Sequence, residues 1–159
     1  SRAAEPAPRA RRVQPPVPPG MVVDSTAALD AMLRAPGVVL VVDGYNVSMP
    51  GWGDAPIADQ RERLGAALSR LHARTRCSVT LVFDGSDVEG VRPPRRPGVR
   101  VVFSAAGEEA DPVVVREAAR LPQHVPVVVA SSDAQVRADA EAVGARVVSS
   151  TTLLDVLRA

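Results

Sequence analysis

With 159 residues, 46% of them hydrophobic and 23% charged, the chain has room for one domain with a proper core and not for two. No apolar run approaches the roughly 18 residues of a membrane span. The single cysteine, Cys77, excludes an internal disulfide and any multi-cysteine metal site, so a protein of the reducing cytoplasm is expected. The net charge of +1 hides an asymmetry, because Arg2, Arg9, Arg11 and Arg12 face only Glu5 within residues 1–20 and leave the remainder mildly acidic.

Residues 1–20 also hold Pro6, Pro8, Pro15, Pro16, Pro18 and Pro19, which block helix and sheet ladders and predict a disordered Pro/Arg-rich linker or tail. The start at Ser1, without an initiator methionine, suggests a missing N-terminal region of a longer protein. Residues 21–159 are expected to form the domain. Asp24 or Ser25 can cap an amphipathic helix through Leu29, Met32 and Leu33, stopped by Pro36-Gly37. Val38 to Val42 then read as a strand buried on both faces, ending at Asp43. Pro56 opens a helix carrying Ile57, Leu64, Leu68 and Leu71, through about Arg74. A strand from Ser78 to Phe83 ends at Asp84, a Gly/Pro/Arg loop runs from Gly85 to Gly98, and Val99 to Phe103 make another strand. Asp111-Pro112 reads as the cap and first position of a helix to about Leu121. A strand from Val125 ends before Asp133, which opens a helix to about Val143. Residues 146–148 and 151–157 complete the alternation with a last strand and helix. Such alternation predicts a three-layer α/β/α fold on a mainly parallel sheet of about five strands.

Three buried strands thus each deliver an aspartate, Asp43, Asp84 and Asp133, to one edge, the edge at which open α/β sheets bind ligands. If the Asp43 strand is central, right-handed crossovers place the other two on either side of it. Crowded carboxylates repel one another, raise their pKa values or recruit a cation, and Mg²⁺ or Mn²⁺ suits an all-oxygen cluster. His72, on a helix, and His124, in a loop, do not form a zinc site or the pair needed for attack by a ribose hydroxyl.

The segments Val42-Asp43-Gly44-Tyr45-Asn46, Val82-Phe83-Asp84-Gly85, Glu108-Glu109-Ala110-Asp111 and Ser131-Ser132-Asp133 resemble the motifs of NYN domains in the PIN-like nuclease superfamily, nearest to the bacterial YacP-like ribonucleases. The resemblance runs over about residues 38–158. It implies a sheet of order 3-2-1-4-5 and a metal-dependent endoribonuclease acting on single-stranded RNA. By the same resemblance Asp43, Asp111 and Asp133 are catalytic and metal-binding, Asn46 is catalytic beside them, and Asp84 and Glu108 are further metal candidates. Glu109 stands where the family often has threonine, which leaves open which of the two glutamates faces the metal.

An ion held there is expected to polarise a phosphodiester and activate a water for in-line attack, leaving 5′-phosphate and 3′-hydroxyl ends. Arg92, Arg95 and Arg96, in the loop after Asp84, are expected near the acids as phosphate contacts. Tyr45 and Trp52 can stack bases or pack against the core, and Ser131 and Ser132 are further RNA candidates. Expected partners are RNA and a second copy of the chain as a homodimer, with no membrane. Each acid also has a plain structural reading: Asp111 and Asp133 as helix caps, Asn46 as a turn residue. A non-catalytic RNA-binding or scaffolding module on the same fold is the alternative. A haloacid dehalogenase-type phosphatase would need an aspartate where Tyr45 stands, and a dinucleotide site would need more glycines than Gly44.

Overall fold

A computed structural model describes residues 11–83, 95–104 and 110–159, the side chains of 110 and 111 excepted. Helix α1 (Thr26–Arg34) is followed by β1 (Val39–Asp43), α2 (Gly44–Trp52), α3 (Ile57–Thr75), β2 (Ser78–Phe83), β3 (Val99–Phe103), α4 (Ala110–Ala119), β4 (Val127–Ala130), α5 (Ala134–Ala142), β5 (Arg146–Val148) and α6 (Ser150–Arg158). The strands form one sheet of order β3-β2-β1-β4-β5, parallel at every pairing. The expected three-layer architecture and strand order are therefore present, with β1 in the centre.

The strand pleat splits the core into two layers. Leu40, Val42, Leu81, Phe83, Val128 and Val148 pack with Leu29, Met32, Leu64, Leu68 and Leu153 of α1, α3 and α6. Val41, Val82, Val127, Val129 and Val147 face the other way, onto Val113, Val114 and Ala118 of α4 and Val136 and Ala140 of α5. Both faces of the central strands are covered, which is why their sequences are continuous apolar runs rather than alternating ones.

Two segments differ from expectation. Helix α2 was not expected, because Gly44, Pro50, Gly51 and Gly53 all read as breakers. It forms because Val47 and Ser48 are buried and α2 packs on α3 and α6, so tertiary burial overrides weak propensity. Pro50 is tolerated inside this single nine-residue helix. The tail is the second difference. Residues 1–10 lie outside the described residues, but 11–20 are docked and not a solvated linker. The Val13 N–H donates to the Gln123 carbonyl at 2.8 Å, Gln14 Nε2 to the Gly144 carbonyl at 2.6 Å, and Arg146 Nε to the Pro15 carbonyl at 2.9 Å. Val17 then packs against the opposite core layer. Among the described residues no helix is long and apolar enough to cross a membrane.

Candidate active site

The carboxyl ends of β1 and β4 lie side by side, Val42 opposite Ala130. One rung further on stand Asp43 and Ser131. Odd-numbered β1 residues face the α4/α5 layer, so Asp43 projects toward the helices whose first turns carry Asp111 and Asp133. It is 5% exposed. Its Oδ2 accepts a hydrogen bond from Ser131 Oγ at 2.8 Å. Asp43 holds the N-cap position of α2 but makes no side-chain cap bond, so its carboxylate is turned toward the β4 edge and not onto its own helix.

The chain turns from β1 into α2 within one residue, and Gly44 is what permits it. A Cβ at this position would lie 2.4 and 2.5 Å from Phe83 ring carbons and 2.5 Å from the Val82 carbonyl oxygen. Tyr45 follows with its ring 4.9 Å from Phe83 and its hydroxyl accepting from Arg61 Nη1 at 2.9 Å. Trp52, at the end of α2, is partly buried against the core. Both aromatics serve packing, and Tyr45 brings a guanidinium close to the turn.

Asn46 is fixed by three elements. Its Oδ1 accepts from the Ser132 N–H at 2.8 Å and from Ser150 Oγ at 2.6 Å, and Ser132 Oγ accepts from the Ser150 N–H at 2.9 Å. A backbone N–H can only donate, so the side-chain atom facing it is the oxygen and the amide nitrogen points elsewhere. Asn46 lies in a helix and does not hold a left-handed turn. Ser150 was missed in the sequence, where Ser149-Ser150-Thr151-Thr152 signals only a helix start; Ser149 is indeed the cap of α6.

Asp133 caps α5 through Oδ1, which accepts from the Gln135 and Val136 N–H groups at 3.0 Å each. Its own N–H donates to Ser131 Oγ at 3.1 Å. Among the described residues its Oδ2 takes no hydrogen bond, so capping and a second task are compatible. Ser131 is wholly buried, and its hydroxyl joins the two acids; it has no surface to offer RNA, contrary to expectation. Ser132 is exposed. Arg137, one turn along α5, donates to the Ser131 carbonyl at 3.0 Å and lies 3.7 Å from Asp24.

Asp111 is the second residue of α4, one position inside the helix and not its cap, and Pro112 occupies the first turn, where a missing N–H costs nothing. Asp84, Arg92, Glu108 and Glu109 lie outside the described residues. Arg95 and Arg96 do not approach Asp43 or Asp133, the described members of the cluster. They precede β3, and Arg96 bridges to Val99 at the amino end of that strand, roughly 15 Å of strand from the carboxyl edge. The Arg96 side chain lies over Gly65 and 3.8 Å from Glu62 on α3. Closeness to Asp84 in sequence does not bring Arg95 and Arg96 to the carboxyl edge, because they lead into β3 at its amino end. His72 Nδ1 donates to the Cys77 carbonyl, 2.7 Å away, and neither histidine forms a metal-sized group with Asp43 or Asp133.

Among the described residues no three acid, histidine or cysteine side chains form a metal-sized group; Asp43 and Asp133 are the described members of the expected cluster. Their donor set is oxygen alone, and it includes an Asp133 carboxylate oxygen that takes no hydrogen bond among the described residues. These residues fit a hard divalent cation.

The sequence profile of the family described as "YacP-like NYN domain" matches residues 40–159, and the chain belongs to that family. Two crystal structures of Rae1 (YacP) from Bacillus subtilis are similar. One, a mutant form, has 25% identity and a TM-score of 0.64, covering 76% of this chain and 74% of that chain. The other has 26% identity and the same TM-score, covering 76% and 73%. No curated protein sequence matches. The fold is thus of nuclease type.

Proposed function

We propose that this YacP-like NYN domain is a metal-dependent endoribonuclease that hydrolyses single-stranded RNA at the edge bearing Asp43 and Asp133. The observation that carries the reading is Asp43: a nearly buried carboxylate at the switch point of the sheet, released from helix capping and tied by Ser131 to the backbone of a second acid. Burying such a group is costly without a compensating role. Asp43 and Asp133 would hold Mg²⁺ or Mn²⁺ together with Asp111, and Asp84 and Glu108 are the remaining candidates. When bound, the ion supplies positive charge for the phosphate in the transition state and an acidified water as nucleophile.

The chain's own residues do the positioning. Ser131 fixes the Asp43 carboxylate. Asn46, with its oxygen held by Ser132 and Ser150, presents its amide N–H groups as donors to a non-bridging phosphate oxygen. Ser132 offers an exposed hydroxyl, and Arg61, bonded to Tyr45, and Arg137, bonded to the Ser131 carbonyl, are the described cations assigned to the phosphates in this reading. Purified protein incubated with single-stranded RNA and Mg²⁺, Mn²⁺ or EDTA tests the reading. Cleavage is expected with either ion and none in EDTA. Undiminished cleavage in EDTA overturns the metal mechanism, and binding without cleavage under every ion favours the scaffolding module.

A further inference from the structure

Arg12 lies upstream of the residues that the family profile matches, yet it is 4% exposed. A guanidinium carries five N–H donors in a rigid planar fork. Here every one meets a backbone carbonyl: Nε that of Val143 at 3.3 Å, Nη1 those of Pro122 at 2.9 Å and Val125 at 3.0 Å, and Nη2 those of Ala118 at 3.1 Å and Leu121 at 3.0 Å. Ala118 and Leu121 belong to the end of α4 and the turn after it, and Val143 closes α5. Helix C-termini expose carbonyls that lack intrahelical partners and carry partial negative charge. One planar cation therefore satisfies the ends of both helices at once. The approach is close: Gly144 has φ +88°, and a Cβ there would lie 2.9 Å from Arg12 Cβ.

The same two helices begin at the acidic edge. Asp111 lies in the first turn of α4 and Asp133 caps α5, while their C-termini meet in the Arg12 cage roughly 15 Å away along the helix axes. We propose that Arg12 is a positioning residue for the candidate site: by locking the C-termini of α4 and α5 together it fixes the separation of their N-terminal ends beside Asp43. The metal arm of this proposal rests on the nuclease reading; the helix-placement arm does not.

Full-length Arg12→Ala and Arg12→Lys carry the test. Lysine keeps the charge but has three donors at a single point, so it cannot fill five acceptors. We expect the melting temperature of Arg12→Ala to fall by about 10 °C. At 25 °C, in folded protein, the Mn²⁺ concentration for half-maximal cleavage is expected to rise about tenfold. Methylguanidinium, which matches the vacated cage, should restore it toward the wild-type value, and Arg12→Lys should be intermediate. Amide exchange should quicken at residues 134–137 as well as beside the cage. An unchanged Mn²⁺ requirement in folded Arg12→Ala, with faster exchange confined to residues 118–125 and 143–146, would show a local clamp only and overturn the proposal. If Arg12→Ala does not fold, Arg12→Lys decides by the same readouts. If wild type shows no metal-dependent cleavage, the nuclease reading fails and exchange at 134–137 alone decides whether Arg12 places α5.

Discussion

Replacing Ser131 with alanine removes one oxygen atom from the centre of the site and almost no volume. That oxygen donates to Asp43 Oδ2 and accepts from the Asp133 N–H, at 2.8 and 3.1 Å. A hydrogen bond to a carboxylate contributes about 1.5–3 kcal/mol, and a buried N–H left without an acceptor costs about 1–3 kcal/mol. Some relaxation is expected, so the total should be about 3 kcal/mol. For a domain of this size about 2–4 °C of melting temperature corresponds to each kcal/mol, which puts the fall at about 10 °C. Asp43 would also lose its fixed orientation, weakening Mn²⁺ binding about tenfold. Ser131→Thr separates the two effects: it keeps the hydroxyl but adds a methyl group to a closed site, at about 1–3 kcal/mol, so it should lose stability and keep metal affinity. Thermal melts and Mn²⁺ titration calorimetry on the same preparations measure both. A Ser131→Ala protein that melts within about 2 °C of wild type and binds Mn²⁺ equally well would show that the hydroxyl is incidental and that the acids are placed by other means.

Asp43→Asn should stay folded and lose cleavage by a factor on the order of 10³, because a metal-binding charge is removed while an acceptor for Ser131 is kept; turnover assays beside thermal melts check this. Exchanging Arg95 and Arg96 for alanine should leave turnover at saturating RNA unchanged, whereas Arg61→Ala should lower it, as steady-state kinetics of the two variants will tell. Stability should also fall in acid for a defined reason. Burial pushes the Asp24 carboxyl up, but donation from Thr152 and Ser149 together with the nearby Arg137 charge outweighs it and leaves the group below its ordinary range. Glu117 behaves alike: burial raises it, and Arg120 with Arg100 at 2.6 and 2.9 Å bring it net down. Both carboxyls bind protons less readily in the folded than in the unfolded chain. Their contribution is therefore full above the unfolded values of about 4, and it is lost as the pH falls through the lower folded ones. Denaturant titrations from pH 6 to pH 3 should show this acid limb, and it should flatten in Asp24→Asn and in Glu117→Gln.

The strands were legible because a parallel sheet covered on both faces writes itself as short β-branched runs. The starts of α3 and α5 were legible from single residues: Pro56 and Asp133 stand at the two N-cap positions. Helix α2 was not, since Gly44 is demanded by the approach of Phe83 and Pro50 by nothing visible in its own window, and only packing on α3 and α6 makes the segment helical. The docking of residues 11–20 was hidden more deeply. Proline does exclude ladders, but Arg12 binds carbonyl oxygens, which every residue carries, so its partners leave no trace in side-chain identity. The same holds for Ser131. Its neighbours in the chain mark a helix start, whereas its role comes from the rung it shares with Asp43 on another strand.

The site lies where the two layers of helices meet the carboxyl edge, and the pleat decides what each layer contributes. Leu40 and Val42 belong to the α1/α3/α6 layer, so Val41 and Asp43 belong to the α4/α5 layer. That layer presents two helix N-termini to the edge, and the partial positive charge of such ends favours carboxylates placed there, which offsets part of the repulsion that bringing acids together entails. The other layer supplies neutral groups: Ser150 of α6 donates to the Asn46 Oδ1 of α2 and so leaves the Asn46 amide nitrogen as the donor. In the proposed nuclease, anionic ligands to an ion would thus come from one side of the sheet and amide donors from the other. A phosphodiester lying between the layers would face a cation on one flank and N–H groups on the other, and a shift of β1 by one residue would turn Asp43 into the wrong layer and abolish both the pairing with Ser131 and that division of roles.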